Sequence, residues 1–249
     1  MSYDAPERYG RLIEPRYGQI ADALVAAARL REGDVVLELG AGTGLVTRKV
    51  APVVQSLVAT DLSREMLGRA RRTTRSADNV TFAVLDWGAP FPFLDCSFSL
   101  VLGGLTYVQD SRPALREVAR VLRPGGRLAL SMWGPAYHEK RIMNAALGSL
   151  GAGRFPTAAP GRAVQRLERL GFRWVRRTDI EIVNRFGCVA DYLEYRRGFG
   201  KPLGWTASFH ERFLRALERE ALRTATADGA FELGWTQTVI TARPPRRIG

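Results

Sequence analysis

The stretch Val35-Val36-Leu37-Glu38-Leu39-Gly40-Ala41-Gly42-Thr43-Gly44 constrains what this chain can fold into more than any other. Residues 34–39 form a short, mainly apolar run bounded by Gly33 and Gly40, the pattern of a buried parallel strand. The run enters a glycine-rich turn that opens a helix, from Gly42 or Thr43 to Val50, stopped by Pro52. Three alternating glycines let backbone approach a ligand without Cβ interference, and the helix N–H groups there are available to polar ligand atoms. A second strand over 56–60 ends at Asp61, about twenty residues on, where a carboxylate at a neighbouring strand's edge suits two ribose hydroxyls. Either feature alone reads as plainly as a tight turn or a surface aspartate; the pair at this spacing favours a nucleoside site.

The rest of the pattern is consistent with that beginning. Apolar residues recur at helical spacing from Ile20 to Leu30, and Ser63 can cap a helix with Met66, Leu67 and Ala70 on its inner face. Further strands are predicted over 80–85, 98–102 and 127–132, with a helix from Ser111 and Pro113 that ends before Pro124. Strands alternating with helices predict an α/β fold with a mostly parallel sheet and helices on both faces. Beyond residue 133 the pattern loosens: helices over 139–150 and 161–170, a strand over 173–182, an aromatic-rich stretch over 186–213, a helix to about 223 and a strand over 235–242. A chain of 249 residues can bury a full core as one unit. The expectation is a single domain over 1–249, with a ligand-binding half over 1–132 and an acceptor or lid half over 133–249.

Composition removes several function classes. Cys96 and Cys188 are far apart and in no metal-ligand or C-x-x-C spacing, so neither a metal site nor a disulfide framework is expected. The first residues lack a basic, apolar leader, and no apolar run approaches the ~18 residues of a membrane span, so the expected location is cytoplasmic. The formal charge of +12 invites a nucleic-acid partner. Lysine occurs only at 49, 140 and 201, however, and the arginines lie in scattered pairs such as Arg71-Arg72 and Arg176-Arg177 with no basic run. That scatter argues against nucleic acid and for solvated helix faces.

A dinucleotide site would show G-x-G-x-x-G, which here would put the last glycine at Leu45; the third glycine instead comes one residue early, at Gly44. The string from Glu38 to Gly44 closely resembles the first motif of the class I S-adenosylmethionine-dependent methyltransferases, in their small-molecule, ubiquinone-biosynthesis-like branch. The resemblance runs over about residues 1–132. It includes Leu85-Asp86-Trp87, the stretch from Pro90 to Val101 leading into strand four, and Leu115 to Gly126 before strand five. It implies a Rossmann-like, seven-stranded, mostly parallel sheet with helices on both faces and a small helical lid. It also implies S-adenosylmethionine as cofactor and S-adenosylhomocysteine as product. By the same resemblance Asp61 holds the ribose and Asp86 accepts from the adenine amine. Trp87 or Leu62 supplies an apolar face, and the turn of Glu38, Gly40, Gly42 and Gly44, with Gly103, lines the methionine portion. Tyr9 and Tyr17, in an N-terminal segment that often closes such a cavity, are candidates for covering the cofactor or for packing a surface helix.

The reaction expected is methyl transfer to an O, N or C atom of a small, apolar or aromatic metabolite, as in quinone or secondary-metabolite pathways. Aligning the acceptor with the S–CH₃ bond is then the main task, and some acceptors need a base. His138, after the fifth strand, and Tyr107, beyond the fourth, are the candidate catalytic groups, each with a bland reading as surface histidine or pocket packing. Gly103-Gly104-Leu105-Thr106-Tyr107 stands where an Asn/Asp-Pro-Pro-Tyr/Phe motif would sit, which argues against base or glutamine-amide methylation. Tyr192, Tyr195, Phe199, Trp205 and Phe209 suit an aromatic cover over a flat acceptor, or the mini-core of a helical cap. A non-methylating reaction such as cyclisation, and methylation of RNA or protein, stay open as alternatives.

Overall fold

The computed structural model describes residues 6–75, 77–103, 111–154, 159–199, 201–202 and 204–246. Its strands are β1 (Val35–Leu39), β2 (Ser56–Asp61), β3 (Val80–Val84), β4 (Phe98–Gly103), β5 (Leu122–Tyr137), β6 (Arg173–Phe186) and β7 (Phe231–Arg243). They form one seven-stranded sheet in the order β3-β2-β1-β4-β5-β7-β6. β1 pairs in parallel with β2 and β4, β2 with β3, and β4 with β5. The chain divides into two compact units. A sheet unit holds 18–133, 159–180 and 237–249; a helical unit holds 1–17, 134–158 and 181–236. β5, β6 and β7 each pass from one unit to the other.

The sheet unit carries α2 (Gly18–Ala28), α3 (Leu45–Val50), α4 (Arg64–Thr73), α5 (Arg112–Val121) and α7 (Pro160–Arg169). Successive strand residues point to opposite faces, and here both faces are covered. Leu37, Leu39, Val101, Leu128 and Leu130 pack with Leu115 and Val118 of α5 and Leu167 of α7. Their neighbours Val36, Leu100, Leu102 and Ala129 turn the other way, onto Leu24 of α2 and Val46 and Val50 of α3. The caps follow the sequence: Ser63 accepts from the Met66 N–H at 3.2 Å and Ser111 from the Ala114 N–H at 3.2 Å.

Two side-chain clusters fasten this frame. Arg120 donates to the Phe91 and Phe93 carbonyls (2.9 and 2.7 Å) and to Asp95 (2.9 Å), while Glu117 accepts from the Phe91 N–H at 2.8 Å. The loop before β4 is thereby bound to α5. At the start of β1, Asp34 accepts from Arg127, from Ser99 Oγ (2.7 Å) and from the Arg31 N–H (2.8 Å). Burial alone would raise the Asp34 carboxyl; the bonds from Arg127, Ser99 and Arg31 outweigh it and hold the group below its ordinary range.

β5 differs from expectation. It begins at Leu122, and between Leu122↔Phe98 and Arg127↔Leu100 it inserts extra residues, so Pro124-Gly125-Gly126 sits within the strand as a bulge. β6 and β7 also run longer than their sequence patterns, to Phe186 and from Phe231.

The helical unit carries α1 (Pro6–Leu12), a 3₁₀ turn (Glu14–Tyr17), α6 (His138–Gly148), α8 (Val189–Gly198) and α9 (Ala207–Leu222). Its core is aromatic: Phe186, Tyr192, Tyr195 and Phe231 are all buried, with the Tyr192 and Phe231 rings 4.4 Å apart. Glu139 lies fully buried among them, accepting from Tyr192 Oη at 3.0 Å and pairing with Arg196 at 3.2 Å. Among the described residues no helix is long and apolar enough to cross a membrane.

Removing one partner of a buried ion pair leaves the other charge desolvated and uncompensated. Asp34→Ala is therefore expected to lower the urea-unfolding free energy of the sheet unit by ~3–5 kcal/mol, and a loss below ~1 kcal/mol would show that Arg127 finds other compensation.

Candidate functional site

The parallel register sets out the site. Glu38 pairs with Ala59 and with Leu102, Leu39 with Thr60, and Asp61 with Val84. The C-terminal ends of β1, β2, β3 and β4 thus share one edge of the sheet unit, where open α/β sheets bind their ligands.

At this edge the backbone turns through Gly40, Gly42 and Gly44 with φ of 75°, 56° and 87°. At Gly44 an added Cβ would lie 3.1 Å from the Ala70 Cβ, so this glycine lets α3 sit against α4. At Gly42 a Cβ would meet nothing within 4 Å, so packing does not demand glycine there; left-handed backbone beside open space does. The sequence reading left the turn's N–H groups available to a ligand. Most of them are committed internally. Gly40 and Ala41 both donate to the Thr60 carbonyl at 2.8 Å, Gly42 donates to Asp61 Oδ2 at 2.9 Å, and Gly44 donates to the Ala41 carbonyl at 2.9 Å. A pyrophosphate needs such donors; a nucleoside bearing no phosphate needs the open space.

Asp61 also accepts from the Ser63 N–H, at 2.9 Å through Oδ1. The Gly42 and Ser63 bonds fall on different oxygens of a group with roughly four lone-pair sites, so acceptor capacity remains for a hydroxyl. Burial pushes its carboxyl above the ordinary range, against the bonds from Ser63, Gly42 and Leu62. Leu62, next in the chain, is 67% exposed, an apolar surface beside the carboxylate. The Leu85 N–H donates to the Asp61 carbonyl at 3.1 Å and draws the end of β3 alongside. Asp86 follows, exposed, with Oδ1 accepting from the Gly88 N–H at 2.8 Å. Trp87 is half-buried against the core, and its Nε1 is buried with no hydrogen-bond partner among the described residues. Gly103 closes β4, buried opposite Leu130. Open space at Gly42, spare acceptors on Asp61 and apolar surface at Leu62 together fit an adenosine-bearing cofactor.

Glu38 works beneath the turn. It is fully buried, and Oε2 accepts from Thr47 Oγ1 of α3 at 2.7 Å, while its carbonyl accepts from Thr60 Oγ1 at 2.7 Å. Burial, helped by the nearby Asp61 charge and opposed by the Thr47 bond, pushes its carboxyl up to about 7.

The remaining candidates lie in the helical unit or outside the described residues. Tyr17 is buried, its hydroxyl 3.4 Å from that of Tyr195 and its ring 6.4 Å from those of Phe199 and Trp235. Tyr9 meets Phe199 edge-on at 6.3 Å. His138 is exposed at the start of α6, with Nε2 2.5 Å from Arg141 Nη2. A guanidinium can only donate, so that contact occupies the lone pair a base would use. Tyr107 lies outside the described residues. Sequence reasoning did not single out Thr47 or Thr60, whose hydroxyls hold Glu38, and read Ser63, whose N–H holds Asp61, only as a helix cap.

With a native carboxyl near 7 against an ordinary 4.5, Glu38 stabilises the fold most below 4.5, and that contribution is lost as pH rises through about 7. Urea unfolding of the cofactor-free chain should show this term falling by about 2 kcal/mol from about pH 5.5 to about pH 8, and Glu38→Gln should remove it. Equal pH slopes in the two proteins would mean that Glu38 ionises normally.

Residues 36–126 match the methyltransferase domain family. A demethylmenaquinone methyltransferase of Tropheryma whipplei (strain Twist) is 37% identical over 98 residues, 39% of this chain and 41% of that protein. The chain thus spans about two fifths of the length of that relative. Among solved structures, the YcgJ protein of a Bacillus species superposes with a TM-score of 0.63 at 20% identity, covering 92% of this chain and 99% of that one. Phosphoethanolamine N-methyltransferase 2 of Haemonchus contortus, solved with S-adenosyl-L-methionine, gives 0.64 at 17% identity over 98% of this chain and 58% of its own. Over residues 36–126 the chain is thus similar to a methyltransferase domain, and it shares the Rossmann-like fold of these solved structures.

Proposed function

We propose that this chain is an enzyme that transfers a methyl group from S-adenosylmethionine to an O, N or C atom of a small, apolar or aromatic acceptor. The observation that carries the reading is the Gly42 N–H bond to Asp61, which sets an open, donor-poor turn beside a carboxylate with spare acceptors. Bound S-adenosylmethionine supplies a methyl group already activated on a sulfonium. Asp61 holds the ribose hydroxyls, Asp86 accepts from the adenine amine, and Leu62 with Trp87 covers the base. Gly40, Gly42 and Gly103 leave room for the methionine portion, and Glu38 keeps the turn on α3 through Thr47. Positioning and exclusion of water then provide most of the acceleration, up to ~7–11 kcal/mol in well-oriented systems. The name of the Tropheryma whipplei relative supports a quinone-like ring as acceptor.

The test is transfer of labelled methyl from S-adenosylmethionine to a panel of demethylated quinols and phenols. Labelled product is expected with at least one acceptor. Asp61→Ala should weaken S-adenosylhomocysteine binding about tenfold or more, a loss of ~1.4 kcal/mol or greater. Cofactor binding without labelled product from any acceptor would instead favour a non-methylating use of the same cofactor. Unchanged affinity in Asp61→Ala would remove the ribose assignment.

A further inference from the structure

The sheet-unit edge where β1 begins lies opposite the cofactor-binding ends of β1–β4, and the fold gathers there arginines that the sequence scatters. Arg127, just after the bulge in β5, donates to the Ala28 and Arg29 carbonyls at 3.2 and 3.3 Å, which brings in the turn carrying exposed Arg29 and Arg31. Arg243, at the end of β7, donates to the Gly125 and Gly126 carbonyls just before Arg127. Its guanidinium also lies 6.0 Å from the Trp174 ring centroid, and that of Arg173 lies at 5.6 Å. Trp174 is 71% exposed at the start of β6.

We propose that this edge binds single-stranded nucleic acid, with the Trp174 indole stacking on a base while Arg29, Arg31, Arg173 and Arg243 take the phosphates. The chemistry of such binding is a flat aromatic platform within a basic track. Arginine suits it better than lysine, because its planar fork both stacks and pairs with phosphate. Of the carboxylates in that turn, Asp34 is buried on Arg127 and Glu32 is exposed beside Arg31, and Arg29, Arg173 and Arg243 outnumber them. The Arg243 guanidinium is depressed by burial and then by Arg127, Arg31, Arg173 and Arg29, a sign of crowded positive charge. Trp174 and Arg29 also hold left-handed backbone, φ 51° and 50°, two of three non-glycine residues to do so among those described. Strain of that kind concentrates at functional positions. An anionic lipid surface would call for a broader apolar face than one indole ringed by guanidiniums.

This inference does not rest on the methyl-transfer reading. Its test is fluorescence anisotropy of the full chain with a labelled oligoadenylate of roughly 12 nucleotides, and co-sedimentation with phosphatidylglycerol vesicles as the comparison. Saturable binding is expected at about 50 mM NaCl, weakening steeply by about 200 mM. Trp174→Asn, which tolerates the left-handed backbone, should weaken it about tenfold. Arg173→Gln should weaken it several-fold, and both variants should keep wild-type thermal stability and S-adenosylhomocysteine affinity. Absence of saturable oligonucleotide binding would overturn the proposal. So would wild-type affinity in Trp174→Asn, or vesicle binding without oligonucleotide binding.

Discussion

One hydrogen bond, from the Gly42 N–H to Asp61, joins the turn after β1 to the end of β2, and the proposed cofactor site is organised around it. The bond is possible because β1 and β2 pair in parallel with Leu39 opposite Thr60, which puts both strand ends at one level. The Thr60 carbonyl takes the Gly40 and Ala41 N–H groups, so the turn closes on β2 twice more. What faces outward from it is space beside left-handed glycine backbone, with a partly used carboxylate and an exposed leucine next to it. This differs in kind from a phosphate-binding loop, whose backbone donors point at the ligand.

The site carries two buried or nearly buried carboxylates close together, and both are pushed above their ordinary range by burial first. Their environments separate them. Asp61 receives backbone N–H bonds from Ser63, Gly42 and Leu62, which favour its charged form, whereas fully buried Glu38 has only Thr47 as donor and the Asp61 charge opposes its ionisation. Glu38 is accordingly the one that holds a proton nearer neutrality, and Asp61 is the better acceptor for hydroxyls. The two neighbouring carboxylates thus differ in how many backbone N–H groups reach them and in how deeply they are buried.

Much of this was legible in the sequence. The run from Val35 to Leu39 had the apolar density of a doubly covered strand, and Asp61 followed at the spacing that parallel pairing requires. The segments from Pro90 to Val101 and from Leu115 to Gly126 were legible as motifs, but their physical reason is the Arg120–Glu117 clamp on the loop before β4. Other features had no local signal. The Glu38–Thr47 bond joins a strand to a helix nine residues on, and the bulge at Pro124-Gly125-Gly126 reads locally as a turn. The arginines looked scattered because pairs along the chain say nothing of strand order. Placing β7 between β5 and β6 is what brings Arg243 to Trp174. The aromatic stretch over 186–213 read equally as pocket cover or core, and Tyr192 and Tyr195 turn out to be core of the helical unit.

The central claim is that the turn and Asp61 form a site for a nucleoside without a pyrophosphate. Calorimetric titration of the cofactor-free chain with S-adenosylhomocysteine, and in parallel with NADH, tests it most directly. The account predicts saturable one-site binding of S-adenosylhomocysteine and none of NADH. Binding of NADH alone, or of neither ligand by demonstrably folded protein, would contradict it.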